Sequence, residues 1–158
     1  MLSRRRFLRR SGAVVAASPV LSSLLSWFPR ANDFTALRRG VGHFTQRGGT
    51  IGWLATDEAL VIVDTQSPES APNCWTGLQE RTDRSLDMVI NTHHHGDHVG
   101  GNGVFAQYTD RLVAHANVPD LMRAAAGDEE NPGTVPTETF EETWSESVGS
   151  ERLTLRHY

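Results

Sequence analysis

The sequence predicts an α/β layered domain, and two patterns carry that expectation. Short runs rich in Val, Ile, Leu and Thr recur from residue 41 onward, each bounded by Gly, Asp, Asn or Pro. From residue 70, segments with helical spacing of apolar residues fall between those runs. Strands that alternate with helices in this way sort into separate layers.

The elements follow in order. Val41 to Phe44 and Thr50 to Ala55 read as strands around Gln46-Arg47-Gly48-Gly49, a short glycine hairpin. After the turn Thr56-Asp57-Glu58, the run Ala59-Leu60-Val61-Ile62-Val63 is continuously apolar, as a strand buried on both faces should be. A helix is expected from near Ser70, with Pro72 tolerated in its first turn and Ala71, Trp75 and Leu78 on one face. Cys74, the only cysteine, packs there as a small hydrophobe, and no internal disulfide is possible. Leu86 to Ile90 is the next strand and Gly103 to Tyr108 a weak helix. Arg111 to Ala114 is a short strand. Asn117 then caps a helix with Val118, Leu121, Met122 and Ala125 on one face, ended by Gly127. Asp128 to Gly133 reads as a solvated acidic loop. Thr139 to Trp144 and Arg152 to Arg156 are the last strands, with a turn at Val148-Gly149-Ser150.

Charge divides the chain into two parts, an address segment at 1–31 and a body at 32–158. All fifteen basic residues are arginine, and six of them lie in residues 1–31, which hold no acidic residue. The body keeps nine arginines against nineteen carboxylates, a net charge of −10. So acidic a body has no electrostatic footprint for nucleic acid. Ser3-Arg4-Arg5-Arg6-Phe7-Leu8 closely matches the twin-arginine export signal of bacteria, and a moderately apolar stretch follows it. Ser18-Pro19 and Ser22-Ser23 interrupt that stretch, so no stable membrane span is expected there. The expected destination is the periplasm or the exterior, reached through the twin-arginine machinery.

The chemistry concentrates in Asn91-Thr92-His93-His94-His95-Gly96-Asp97-His98. Four of the seven histidines and one carboxylate fall within residues 93–98, directly after an apolar strand and before Val99-Gly100-Gly101-Asn102-Gly103. Imidazole and carboxylate together suit zinc or iron better than calcium or magnesium. In an extended segment His93 and His95 would point the same way and His94 the other. A turn at Gly96 would then bring Asp97 and His98 to the same place. His43, His94, His115 and His157 are not expected to be ligands: His43 and His115 stand alone as structural residues, His94 points away, and His157 is too close to the end to be held rigidly.

His93-x-His95-x-Asp97-His98, preceded by Thr92 and an aliphatic strand, resembles the signature of the metallo-β-lactamase superfamily. Gly48 to Leu54, then Leu60 to Thr65 with Asp64 at the strand end, resembles that family's opening strands. Gly100-Gly101-Asn102 also follows the motif as it often does there. The resemblance runs from about Val41 to the last residue. It implies an αββα sandwich, of which this chain would hold the amino-terminal half. It also implies a metal pair, two zinc ions with iron as the alternative, with His93 and His95 on one ion and Asp97 and His98 on the other. Asp97 would orient the attacking hydroxide and pass on its proton, while Asp64 and Thr92 would support the ligands from behind. The implied reaction is hydrolysis of a small-molecule ester, thioester, lactone, lactam, amide or phosphodiester, β-lactams included.

The family completes its ligand set from a second half, and Leu153-Thr154-Leu155-Arg156-His157-Tyr158 resembles the strand leading to the first of those further ligands. The expectation is therefore an amino-terminal piece of a longer exported enzyme, weak in metal binding and in activity by itself. A non-catalytic remnant and a di-iron redox protein of the same superfamily are the alternatives.

Overall fold

The computed structural model describes residues 33–127 and 132–158. The export segment at 1–31, and residues 128–131 of the acidic loop, lie outside the described residues.

Seven strands form one sheet in sequence order: β1 (Phe34–Arg38), β2 (Val41–Gln46), β3 (Gly49–Ala55), β4 (Leu60–Val63), β5 (Met88–Ile90), β6 (Leu112–His115) and β7 (Glu138–Phe140). Pairing is antiparallel from β1 to β4 and parallel from β4 to β7. A second sheet is the hairpin β8 (Thr143–Val148) and β9 (Glu151–Arg156). The helices are α1 (Ala71–Gln79), α2 (Gly96–Val99), α3 (Asn102–Phe105) and α4 (Val118–Ala126).

Strand alternation splits the core into two layers. Ile51, Trp53, Leu60, Ile62, Val89 and Leu112 face one side, where Ala71, Cys74, Trp75 and Leu78 of α1 and Phe105 of α3 cover them. Leu54, Val61, Met88, Ile90 and Val113 face the other side, against Val148, Trp144, Leu153 and Leu155 of the hairpin and Phe140 of β7. The mixed α/β architecture around a central sheet is therefore as predicted. Leu60, Val61 and Ile62 are at most 1% exposed, as a strand packed on both faces requires. Burial alone drives the Cys74 thiol far above its usual range, against a small opposing influence from Arg81, so it packs as an inert hydrophobe.

Several boundaries differ from the sequence reading. β1 was not expected: Phe34–Arg38 pairs with β2 through a tight turn in which both Arg39 and Gly40 take positive φ. Its exposed pattern lacks the apolar run that marks a buried strand. Thr139 to Trp144 is two strands in different sheets, broken at Glu141-Glu142. α4 buries Val118, Pro119 and Met122, while Leu121 and Ala125 face solvent, because only one edge of the helix meets the sheet. Asn117 precedes α4 without a side-chain cap; its backbone N–H donates instead to His115 Nδ1 at 3.1 Å. His157 is held after all, stacked on the His115 ring at 3.7 Å with its N–H donating to the Glu142 carbonyl.

Candidate metal centre

The parallel strands deliver the histidine loop. β4 and β5 end side by side, with Val63 opposite Ile90, so Asp64 emerges next to Asn91 and Thr92. Open sheets of this kind gather their ligand-binding groups at the carboxyl ends of parallel strands. Asp64 takes φ +60, a left-handed conformation that Asp tolerates better than most residues. Its own N–H donates to the Ile90 carbonyl at 2.8 Å. The bend turns its buried carboxylate beneath the loop.

Three donors converge on that carboxylate. The Thr92 N–H donates to Oδ1 at 2.8 Å, the Thr92 hydroxyl to Oδ2 at 2.7 Å, and His98 Nδ1 lies 2.8 Å from Oδ2. The directions of these bonds fix the ring protons. An ionised carboxylate only accepts, so His98 carries its proton on Nδ1. The Thr92 hydroxyl gives its hydrogen to Asp64, so it accepts from His93 Nδ1 at 3.0 Å. Both imidazoles therefore keep the Nε2 lone pair outward, the form that binds a metal. Burial holds His93 below the usual histidine range, and His98 and His95 add to that against Asp64 and Asp97.

The rings cluster. His93 lies 4.0 Å from His98 and 4.8 Å from His95, centroid to centroid. His95 stands at the amino-terminal end of α2, and its carbonyl accepts from the His98 and Val99 N–H groups. Asp97, on the first turn of α2 and largely exposed, places Oδ2 3.5 Å from His98 Nε2. With the His98 proton on Nδ1, two acceptors face each other across that gap, which a shared cation would relieve. His94 does not point away as an extended strand would require. Residues 92–94 form a bend, and its ring lies 4.6 Å from His95.

Donor chemistry and support thus fit a transition metal. Among the described residues, however, no group of three or more His, Cys, Asp or Glu side chains is placed to hold one ion. The ligand pairs are present without a closed coordination shell.

Sequence reasoning missed the frame around this loop. Asn91 and Asn102, both buried, exchange side-chain amide hydrogen bonds at 3.0 and 2.9 Å. Thr65 donates its hydroxyl to Asn102 at 3.0 Å, and its N–H to the His98 carbonyl at 2.8 Å. Asn102 donates also to the Thr134 carbonyl at 2.9 Å. A Cβ on Gly101 would strike the Thr65 carbonyl, which accounts for a glycine there. The signal available in the sequence was the pair of asparagines flanking the histidines.

Comparison with known proteins agrees with this geometry. The family model described as Metallo-beta-lactamase superfamily matches residues 44–156, most of the chain. A hydroxyacylglutathione hydrolase of Rhodopseudomonas palustris (strain BisA53) is 35% identical over 92 residues, covering 54% of this chain and 35% of that protein. Among solved structures, a metallo-beta-lactamase of Cronobacter sakazakii with an HARLDQ motif aligns with TM-score 0.66 at 18% identity. It covers 82% of this chain and 54% of that one. A subclass B3 metallo-beta-lactamase of Bradyrhizobium japonicum aligns with TM-score 0.66 at 21% identity, covering 82% and 53%. The chain spans about a third of that curated relative and about half of those solved structures.

Proposed function

From the premise that this chain belongs to the metallo-beta-lactamase superfamily, we propose that it carries the first metal-binding segment of an exported zinc-dependent hydrolase. The observation that supports this best is the hydrogen-bond chain from His93 through Thr92 to Asp64, joined by His98. It commits two imidazoles to the metal-binding tautomer before any metal arrives.

In this reading His93 and His95 hold one ion, and Asp97 and His98 the other. Zinc, when bound, brings water into the range where it ionises near neutral pH, from about 15.7 to about 7. The chain's own residues do the rest. Asp64 keeps His98 oriented, and Thr92 keeps His93 oriented. Asp97, open to solvent and with Oδ2 turned to His98, would use Oδ1 to accept the proton of the attacking water and return it to the leaving group. The substrate is a small molecule with a hydrolysable acyl or phosphoryl bond. Export rests on Ser3 to Leu8 and is read by fractionating cells that express the full chain.

Isothermal titration of the purified chain with zinc, beside variants H93A and H98A, tests the metal assignment. Saturable zinc binding, weak as two ligands per ion imply, that drops at least tenfold in each variant supports it. Binding unchanged by either substitution rejects it. Metal analysis and an optical spectrum separate zinc from an iron pair.

A further inference from the structure

Asn102 opens α3 and is wholly buried, yet its side chain is polar. The Thr134 carbonyl can only accept, so the Asn102 nitrogen 2.9 Å from it is the donor and the orientation of the amide is fixed. That nitrogen donates also to Asn91 Oδ1 at 2.9 Å. Asn102 Oδ1 accepts from Asn91 Nδ2 and from the Thr65 hydroxyl, each at 3.0 Å. Both donors and both lone pairs of the amide are thus in use. Burying an amide is unfavourable until every bond is made, after which the network rigidifies its surroundings and admits one arrangement.

What it rigidifies is set by the neighbours of its partners. Asn91 immediately precedes Thr92, and Thr65 immediately follows Asp64. Thr92 and Asp64 are the two groups that set the protons of His93 and His98. Thr65 also holds the His98 carbonyl, through its N–H at 2.8 Å and its hydroxyl at 3.0 Å. One amide therefore joins the exit of β4 to the exit of β5, on the side away from the imidazoles.

We propose that Asn102 is a positioning residue for the metal loop. Through Asn91 and Thr65 its amide sets the separation of Thr92 from Asp64, and so keeps His93 and His98 in the metal-binding tautomer. The inference deepens the hydrolase reading and rests on it only for the statement that these imidazoles serve a metal.

The test is NMR of the 15N-labelled full chain in chelator, on wild type, N102D and N91L/N102L. N102D keeps every heavy-atom position but sets an oxygen against the Thr134 carbonyl and Asn91 Oδ1. N91L/N102L keeps the branched shape and removes both amides together, a swap that costs little in a buried pair. Exchange of the Thr92 N–H is compared with that of the Val89 N–H, which donates to the Arg111 carbonyl at 2.9 Å. A residue that only stabilises the fold would speed Thr92 no more than Val89. In both variants Thr92 is expected to gain about tenfold or more over Val89. The His98 Nε2–H form is expected to rise from a minor species to one comparable with Nδ1–H. In wild type, the Asn102 side-chain amide should exchange within about tenfold of the Thr92 N–H, since one opening frees both. An unchanged exchange ratio or an unchanged His98 tautomer in a folded variant overturns the assignment. So does wild-type exchange at Asn102 that outruns Thr92 by more than about tenfold, a comparison that decides the matter if neither variant folds. A wild-type chain that binds no zinc would remove the hydrolase reading and leave these results standing.

Discussion

Replacing Asp64 with Asn changes almost no volume yet reverses the proton directions beneath the histidine loop. Two of the three donors on Asp64, the Thr92 hydroxyl and His98 Nδ1, converge on Oδ2, and the Thr92 N–H uses Oδ1. In D64N the one remaining carbonyl oxygen can serve the fixed backbone N–H. Its NH2 then faces the other two donors. The hydroxyl must turn its hydrogen away, and His98 must move its proton to Nε2. Three bonds also lose their charge assistance, at about 0.5–1 kcal/mol each, so the fold should lose about 2 kcal/mol. With a urea dependence of about 2 kcal/mol per molar, the midpoint should fall by roughly 1 M in chelator. Long-range 15N spectra of the imidazoles should show His98 switching from Nδ1–H to Nε2–H, and zinc affinity should fall about 10- to 100-fold. Asn also accepts φ +60, which Ala does not, so D64A should cost more and is the poorer probe. If D64N keeps the Nδ1–H tautomer and a midpoint within ~0.2 M of wild type, Asp64 does not govern the loop and the reasoning is wrong.

Other consequences are open to direct measurement. Arg111 donates to both Glu138 and Glu146, at 2.8 and 2.7 Å, tying β6 to β7 and the hairpin. Arg111 holds the Glu146 carboxyl below its usual range, against a small opposing effect of burial. A depressed folded-state value means stability fully present above the ordinary glutamate range and lost as pH falls through the depressed one. Both groups are about a third exposed, so the contribution is small, ~1 kcal/mol, and urea midpoints of wild type and E146Q should converge in acid. Cys74 should resist aromatic disulfide reagents in the native chain and react only as urea opens the α1 layer; prompt native labelling would contradict its packing. G101A should cost about 1–3 kcal/mol, because the added methyl meets the Thr65 carbonyl and comes 2.7 Å from Ala71 Cβ. Thermal melts would register that loss, and an unchanged Tm would place more slack in the loop than the geometry allows.

What the sequence made legible follows from what each signal encodes. β4 was plain because Leu60 to Val63 is apolar throughout, and only a strand covered on both faces needs that. The histidine loop was plain because its residue types have few other uses at that spacing. β1 was invisible because four of its five residues are exposed, and pairing through the backbone leaves no pattern in side chains. The exposure of Leu121 could not be read either, since helical spacing says which residues share a face and not how much of that face the sheet covers. His94 was misplaced because alternation presumes extended backbone, whereas residues 92–94 bend.

Asp64 reaches the histidine loop across 34 positions of intervening chain, and Thr134 braces Asn102 from 32 positions beyond it. A peptide copying residues 91–98 would hold the loop's four imidazoles and Thr92, but not the Asp64 carboxylate that fixes the direction of their hydrogen bonds. The loop's readiness for a cation thus requires β4 and β5 to be docked side by side, because the bonds that set it join residues 28 and 34 positions apart. Transplanting the motif into another protein would succeed only if the strand carrying the aspartate moved with it.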